Sequence, residues 1–180
     1  MKKTFPLYTY ISIFLILLIL DCSNREPSEI ARATTVCIKN KNFKKIASLY
    51  LLPADYTESK KTRESVCIIN ALALMAHEFG SISDFSIIKG KKQFYDVHIF
   101  GGDLDFYKSK LKYDQYVFKT KFSKLGDGYV IIRIYRINGK PKLRSIGYAL
   151  PKLPKNLKIV SSIGVKLLKL MASTNKLQTI

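Results

Sequence analysis

Apolar residues recur at helical spacing up to Gly80 and mostly in alternation beyond it, after an amino-terminal run over 11–20 that is apolar except at Ser12. Pro27-Ser28 can open a helix, with Ser28 as its candidate cap, and Ile30, Ala33, Thr34, Cys37 and Ile38 then repeat three or four apart. Asn40-Lys41-Asn42 interrupts the pattern; Phe43, Ile46, Ala47, Leu49 and Tyr50 restart it before Pro53, which predicts a helix, a kink and a second helix. The longest helix starts at Thr57 or Ser59 and runs to Phe79, where Gly80 stops it. Within it Ile68, Leu72, Met75 and Phe79 share one face, a candidate core stripe, and His77 falls off that stripe as an exposed histidine without a metal role.

Past Gly80, residues 82–88, 94–100 and 113–122 read as strands, with 101–111 left open, and Gly126-Asp127-Gly128 as a turn. Residues 129–137 and 140–150 form a hairpin about Asn138-Gly139, a strong two-residue turn signal. Unbroken alternation from that turn sets Val130, Ile132 and Ile134 opposite Gly147, Ser145 and Leu143, a face on which helices can pack closely. The other face then pairs Tyr129 with Tyr148, Ile131 with Ile146, Arg133 with Arg144 and Tyr135 with Lys142. Facing arginines repel unless an anion or water lies between them. After Pro151 and Pro154, the residues Ile159, Val160, Ile163, Leu167 and Met171 point to one side, with Lys158, Lys166 and Lys169 mostly elsewhere. That is a basic amphipathic helix, either packed on the outer face of the sheet or lying on a membrane surface.

The amino terminus changes the picture. Lys2 and Lys3 precede an apolar stretch over 11–20 that only Ser12 interrupts. As a helix it is about 15 Å long, half of a hydrocarbon core of roughly 30 Å, so it reads as an export signal rather than a span. Counted from Phe5, it could also be a slightly short anchor that is not cleaved. The sequence Ile19-Leu20-Asp21-Cys22-Ser23-Asn24 resembles a bacterial lipoprotein signal, which implies that Cys22 is lipidated and that the body lies outside the cytoplasm. Asp21 stands where that pattern has a small residue; an ordinary secretory signal, with Cys22 a bystander, is the other reading. The expected organisation is a signal over 1–21, a lipid-anchored tether over 22–27, one domain over 28–150 and a basic tail over 151–180. Outside the cytoplasm Cys37 and Cys67 are a candidate disulfide; the alternative is two buried thiols acting as small hydrophobes.

Helices broken near Asn40, then an antiparallel sheet beginning just after Gly80, give an order similar to the nuclear-transport-factor-like, or cystatin-like, α+β roll. The resemblance is carried by Phe43 to Tyr50, by the helix running into Phe79-Gly80-Ser81-Ile82, and by the closing strand Leu143-Arg144-Ser145-Ile146-Gly147-Tyr148. It implies an α+β fold with amino-terminal helices packed in a strongly curved antiparallel sheet, forming a cone. Some members use the cone for isomerase or hydrolase chemistry and many as a binding module, so the fold does not choose between them. Catalytic members place carboxylates or histidines there, which makes Asp96 and His98, two apart on one strand, the candidate pair; an ordinary exposed pair is the alternative.

No Gly-rich phosphate loop, His-Glu-x-x-His or Gly-x-Ser-x-Gly is present, and Asp103-x-Asp105 lacks the rest of a calcium loop, so neither a metal nor a cofactor is expected. Charge is the positive signal. Thirty-one Lys and Arg against 13 Asp and Glu leave +18 over 180 residues, while 47% apolar content excludes a disordered or collagen-like chain. Lys119, Lys121, Arg133, Lys142 and Arg144, interleaved with Tyr135 and other tyrosines, are candidate anion-binding residues. Export makes nucleic acid a poor partner and anionic lipid headgroups, envelope polymers or another envelope protein better ones; a merely solvated lysine-rich surface is the plain alternative. The expectation is a lipid-anchored cell-envelope protein, a non-enzymatic binding or interaction module. A small-molecule enzyme working in the cone is the alternative.

Overall fold

The computed structural model describes residues 26–50, 52, 54–88, 93–100, 112–137 and 140–176. The expected signal, Cys22, most of the tether, the stretch 101–111 and the Asn138-Gly139 turn lie outside these. The described residues form an α+β fold of four helices and an open, five-stranded antiparallel sheet. Helix α1 (Pro27–Lys39) starts with Glu26 in the cap position and Pro27 in the first turn, so Ser28 is already inside the helix and is not its cap. Proline fits there because its missing N–H would have no helical partner. Asn40 ends α1, and the Asn42 side chain caps the short α2 (Phe43–Ala47) by accepting from the Lys45 amide. Helix α3 (Glu58–Phe79) is capped by Thr57, and Ile68, Leu72, Met75 and Phe79 are all buried, as their spacing predicts.

Gly80 ends α3 with a φ of 87°, and a Cβ there would stand 2.2 Å from Ser123 Oγ. Only glycine allows both the conformation and the approach. The Ser81 amide donates to Ser123 Oγ, the Ser123 amide to the Ser81 carbonyl, and Lys124 Nζ to the His77 carbonyl, which fastens the end of α3 to the turn at 123–125.

The sheet comprises β1 (Ser86–Ile87), β2 (Phe94–Phe100), β3 (Tyr113–Phe122), β4 (Gly126–Ile137) and β5 (Lys140–Pro151), in the order β1-β3-β4-β5-β2. The strand expected over 82–88 is reduced to two residues and an isolated bridge between Ile82 and Phe122. The turn expected at Gly126-Asp127-Gly128 falls three residues earlier, at 123–125, and these three residues begin β4.

The largest correction lies in the β4–β5 register. Ile137 pairs with Lys140, Arg136 with Pro141, Tyr135 with Lys142 and Ile134 with Leu143, as the two-residue turn requires. The register then shifts by one: Arg133 pairs with Ser145, Ile132 with Ile146, Ile131 with Gly147 and Val130 with Tyr148. Arg144 is the extra residue of a β-bulge. The shift turns Ile146 and Tyr148 inward and Ser145 and Gly147 outward, because burying two large apolar side chains outweighs keeping a regular ladder. By the roughly 25 cal/mol per Å² rule, each such burial is worth about 1.5–3 kcal/mol.

The core lies between the sheet and the helices. Phe79, Phe122 and Tyr148 meet in one cluster, with ring centroids 4.8 Å, 5.2 Å and 5.8 Å apart. Burial alone pushes the Tyr148 hydroxyl well above the usual phenol range. The Tyr50 hydroxyl donates to the buried Ile99 carbonyl at 3.0 Å, and the Leu143 amide to the Leu49 carbonyl, so the end of α2 is tied to β2 and β5. Helix α4 (Pro154–Lys176) follows β5 and packs on α3 and on the helix-bearing face of the sheet, burying Val160, Ile163 and Leu167. The outer-face packing expected for this segment is therefore not what forms. Val97 and Ile99 of β2 extend the apolar surface on the helix side, and a Cβ added at Gly164 would meet Val97 at ordinary contact distance.

Cys37 and Cys67 are free thiols, both buried. The expected bridge is thus not formed: Cys37 sits on α1 and Cys67 on α3, each enclosed in the core. Burial, and then the charge of Glu64, raise the Cys67 thiol's pKa, which keeps it protonated and weakly nucleophilic.

Candidate functional site: the sheet face opposite the helices

Alternation along β2 turns Tyr95, Val97 and Ile99 inward and leaves Asp96 and His98 on the other face of the sheet. The pair therefore does not look into the space between helices and sheet. A cavity of about 10 Å³ lies there, lined by Ile38, Ala76, Gly80, Tyr148 and their neighbours, with room for about one water.

On the outer face His98 Nε2 meets Asp96 Oδ2 at 2.8 Å, and His98 Nδ1 lies 3.4 Å from Ser145 Oγ. Gly147 makes this possible. It pairs with His98 across the strands, and a Cβ there would come within 2.4 Å of the imidazole, so the ring lies directly on the glycine backbone. The hydrogen bond from His98 is the main cause holding the Asp96 carboxyl below its ordinary range; burial opposes it, and the charges of His98 and then Arg133 add to it.

The contacts run Ser145, His98, Asp96, the order of a nucleophile, a base and its orienting carboxylate. Ser145 nevertheless has no exposed surface, and its hydroxyl is at the long limit of a hydrogen bond. A substrate carbonyl cannot reach that oxygen as placed. What the array does in this geometry is join the edge strand β2 to β5 through side chains as well as backbone.

Next to it lies a cationic cluster. Arg133 donates to Gln115 Oε1 at 2.9 Å and stands 5.6 Å from the Tyr113 ring centroid; Arg144, carried outward by the bulge, stands 4.3 Å from the same ring and 4.8 Å from that of Tyr135. Such cation–ring contacts are worth roughly 0.5–1 kcal/mol at exposed sites, enough to hold two guanidiniums near each other. The direct pairing expected for Arg133 and Arg144 does not occur, yet the bulge brings both to one aromatic ring. Lys142 is exposed on the strand position paired with Tyr135. Lys119 and Lys121 belong to this face but lie toward its far end, Lys119 opposite Tyr129 and Lys121 opposite Asp127. From Gln115 to Lys119 is about 14 Å at roughly 3.4 Å per residue. Tyr135, expected to touch a ligand, is fully buried and serves as a platform under Arg144.

Arg136 stands apart from this cluster: its guanidinium meets Asp114 at 3.2 Å and Glu26 at 3.4 Å. Sequence reading missed Ser145, Tyr113 and Gln115, which join the site only through strand pairing. The signal that could have found Ser145 is the three-residue step from Leu143 to Ile146, which breaks the alternation and marks the bulge.

Among the described residues no cluster of histidine, cysteine and carboxylates is suited to a metal, and no described helix is long and apolar enough to cross a membrane. No family model matches the chain, and comparison with curated proteins and with solved structures finds no match. The class that the structure defines is an α+β protein with an open five-stranded antiparallel sheet whose outer face brings Arg133 and Arg144 to the ring of Tyr113.

Proposed function

We propose that the protein is an exported, lipid-anchored cell-envelope protein, tethered through Cys22, that works as a non-enzymatic binding module for an anionic partner. In this reading the helices and sheet form a cone-shaped roll of the nuclear-transport-factor-like kind with a basic carboxy-terminal helix. The observation that carries the binding function is the convergence of Arg133 and Arg144 on the half-exposed ring of Tyr113, with Lys142 close by. Asp96 is in electrostatic reach of Arg133, but its carboxylate is engaged by His98. An anion with several oxygens, such as a phosphorylated or carboxylated envelope polymer, suits two planar guanidiniums.

The test is retention on an anionic polysaccharide and on vesicles containing phosphatidylglycerol, comparing the native protein with Arg133→Gln/Arg144→Gln. At roughly 1.5–3 kcal/mol for each charged hydrogen bond, losing one from each arginine weakens binding at least about a hundredfold. Unchanged binding to both refutes the proposal. The anchor is tested separately, by the intact mass of protein purified from membranes: a lipid-modified chain beginning at Cys22 supports it, and an unmodified chain retaining residues 1–21 refutes it.

A further inference from the structure

Helix α4 carries a second apolar stripe that its packing does not use. Val160, Ile163 and Leu167 are buried, while Leu157, Val165 and Leu168 are 46%, 51% and 69% exposed. At 100° per residue Leu157, Leu168, Ala172 and Val165 fall within a sector of roughly 80° that adjoins the buried stripe. Lys158 and Lys169, both exposed, border that sector, and Lys155 lies beyond them. Just past Lys155, at the far edge of the buried stripe, Lys166 meets Glu78 of α3 at 2.8 Å. The helix is thus held in place on its own domain, with three large apolar side chains turned outward beside a row of lysines.

We propose that this outward stripe of α4 docks on an anionic bilayer surface, its leucines and valine entering the headgroup–acyl boundary and its lysines reaching the lipid phosphates. Apolar side chains flanked by lysines on a folded helix match that boundary in both depth and charge. A second copy of the chain matches it poorly, since a symmetric contact would bring the Lys158 and Lys169 rows of two strongly cationic molecules together. The stripe belongs to a helix on the helix-bearing side of the sheet and Arg133 and Arg144 lie on the opposite side, so the two surfaces are separate. The inference rests on α4 alone and stands whether or not Cys22 is lipidated.

The chain contains no tryptophan, so Leu168→Trp provides a single emitter at an exposed position. The full-length variant is reconstituted into vesicles of phosphatidylcholine, or of phosphatidylcholine with phosphatidylglycerol. The expected result is a blue shift and reduced iodide quenching in the anionic vesicles, reversed by high salt. Adding Lys158→Gln and Lys169→Gln should move the docking equilibrium roughly 30-fold toward the undocked state at low salt, about fivefold for each lysine near the surface. Val165→Trp, as a second reporter, should respond in the same way. Equal emission in neutral and anionic vesicles overturns the proposal. So does a blue shift that depends on protein concentration without anionic lipid, which would assign the stripe to self-association.

Discussion

Gly147→Ala tests the outer-face array at its most constrained point. The new Cβ would stand 2.4 Å from His98 Cε1, 2.7 Å from Nε2 and 2.8 Å from Nδ1. Ordinary contacts between such atoms are about 3.5–4.0 Å, so the ring must move outward by roughly 1 Å or more. That motion breaks the 2.8 Å contact with Asp96 and the 3.4 Å contact with Ser145. Overpacking costs about 1–3 kcal/mol and a hydrogen bond to a charged group is worth about 1.5–3; because the ring's escape relieves part of the clash, the expected loss is about 2–3 kcal/mol. At about 2–4 °C per kcal/mol for a chain of this size, Tm should fall by roughly 5–10 °C. Circular dichroism melting reads this directly. Gly164→Ala is the control: its Cβ would meet only Val97 Cγ2, at 3.9 Å, and alanine's better helix propensity, about 0.8–1 kcal/mol, should raise Tm slightly. His98→Ala completes a double-mutant cycle. If the clash with the ring is the cause, Gly147→Ala should cost little more in the His98→Ala background. A Gly147→Ala protein that melts like the native one, or additive losses in the cycle, refutes the placement of the imidazole.

The native Asp96 carboxyl titrates below its ordinary value of 3.8, so its pairing is fully stabilising above that value and is lost as pH falls through the native pKa. The stability difference between the native protein and Asp96→Asn, from urea unfolding, should therefore shrink as pH falls below 3.8; a difference that grows over that range contradicts the assignment. Cys37 and Cys67 should react with a thiol reagent only after denaturation, and without prior reduction; a two-dalton gain in mass on reduction would show that they are bridged.

Much of the fold could be read from spacing because each element buries one face. The stripe Ile68, Leu72, Met75 and Phe79 fixed the orientation of α3, and alternation located β2 and β3 at their observed bounds. Local signals did worse where two residues compete for one role. Ser28 has the chemistry of a cap, but Pro27 occupies the first turn and so moves the cap to Glu26. The side of the sheet taken by α4 was not legible either. Its own stripe shows that it packs, while its location depends on Val97 and Ile99, more than fifty residues earlier in the chain.

The site shows how one backbone irregularity decides which side chains can cooperate. A regular hairpin puts Arg133 directly against Arg144 and faces Ser145 and Gly147 to the core. The bulge at Arg144 removes the direct pairing, yet lets Tyr113 accept both guanidiniums on one ring. The same one-residue shift turns Gly147 under His98 and Ser145 toward it, so the cationic cluster and the Asp96–His98–Ser145 array have one origin. A residue added to or removed from β5 between Leu143 and Ile146 would therefore disturb both at once. It would also exchange inward Ile146 and Tyr148 for Ser145 and Gly147, which ties the integrity of the outer face to the stability of the core.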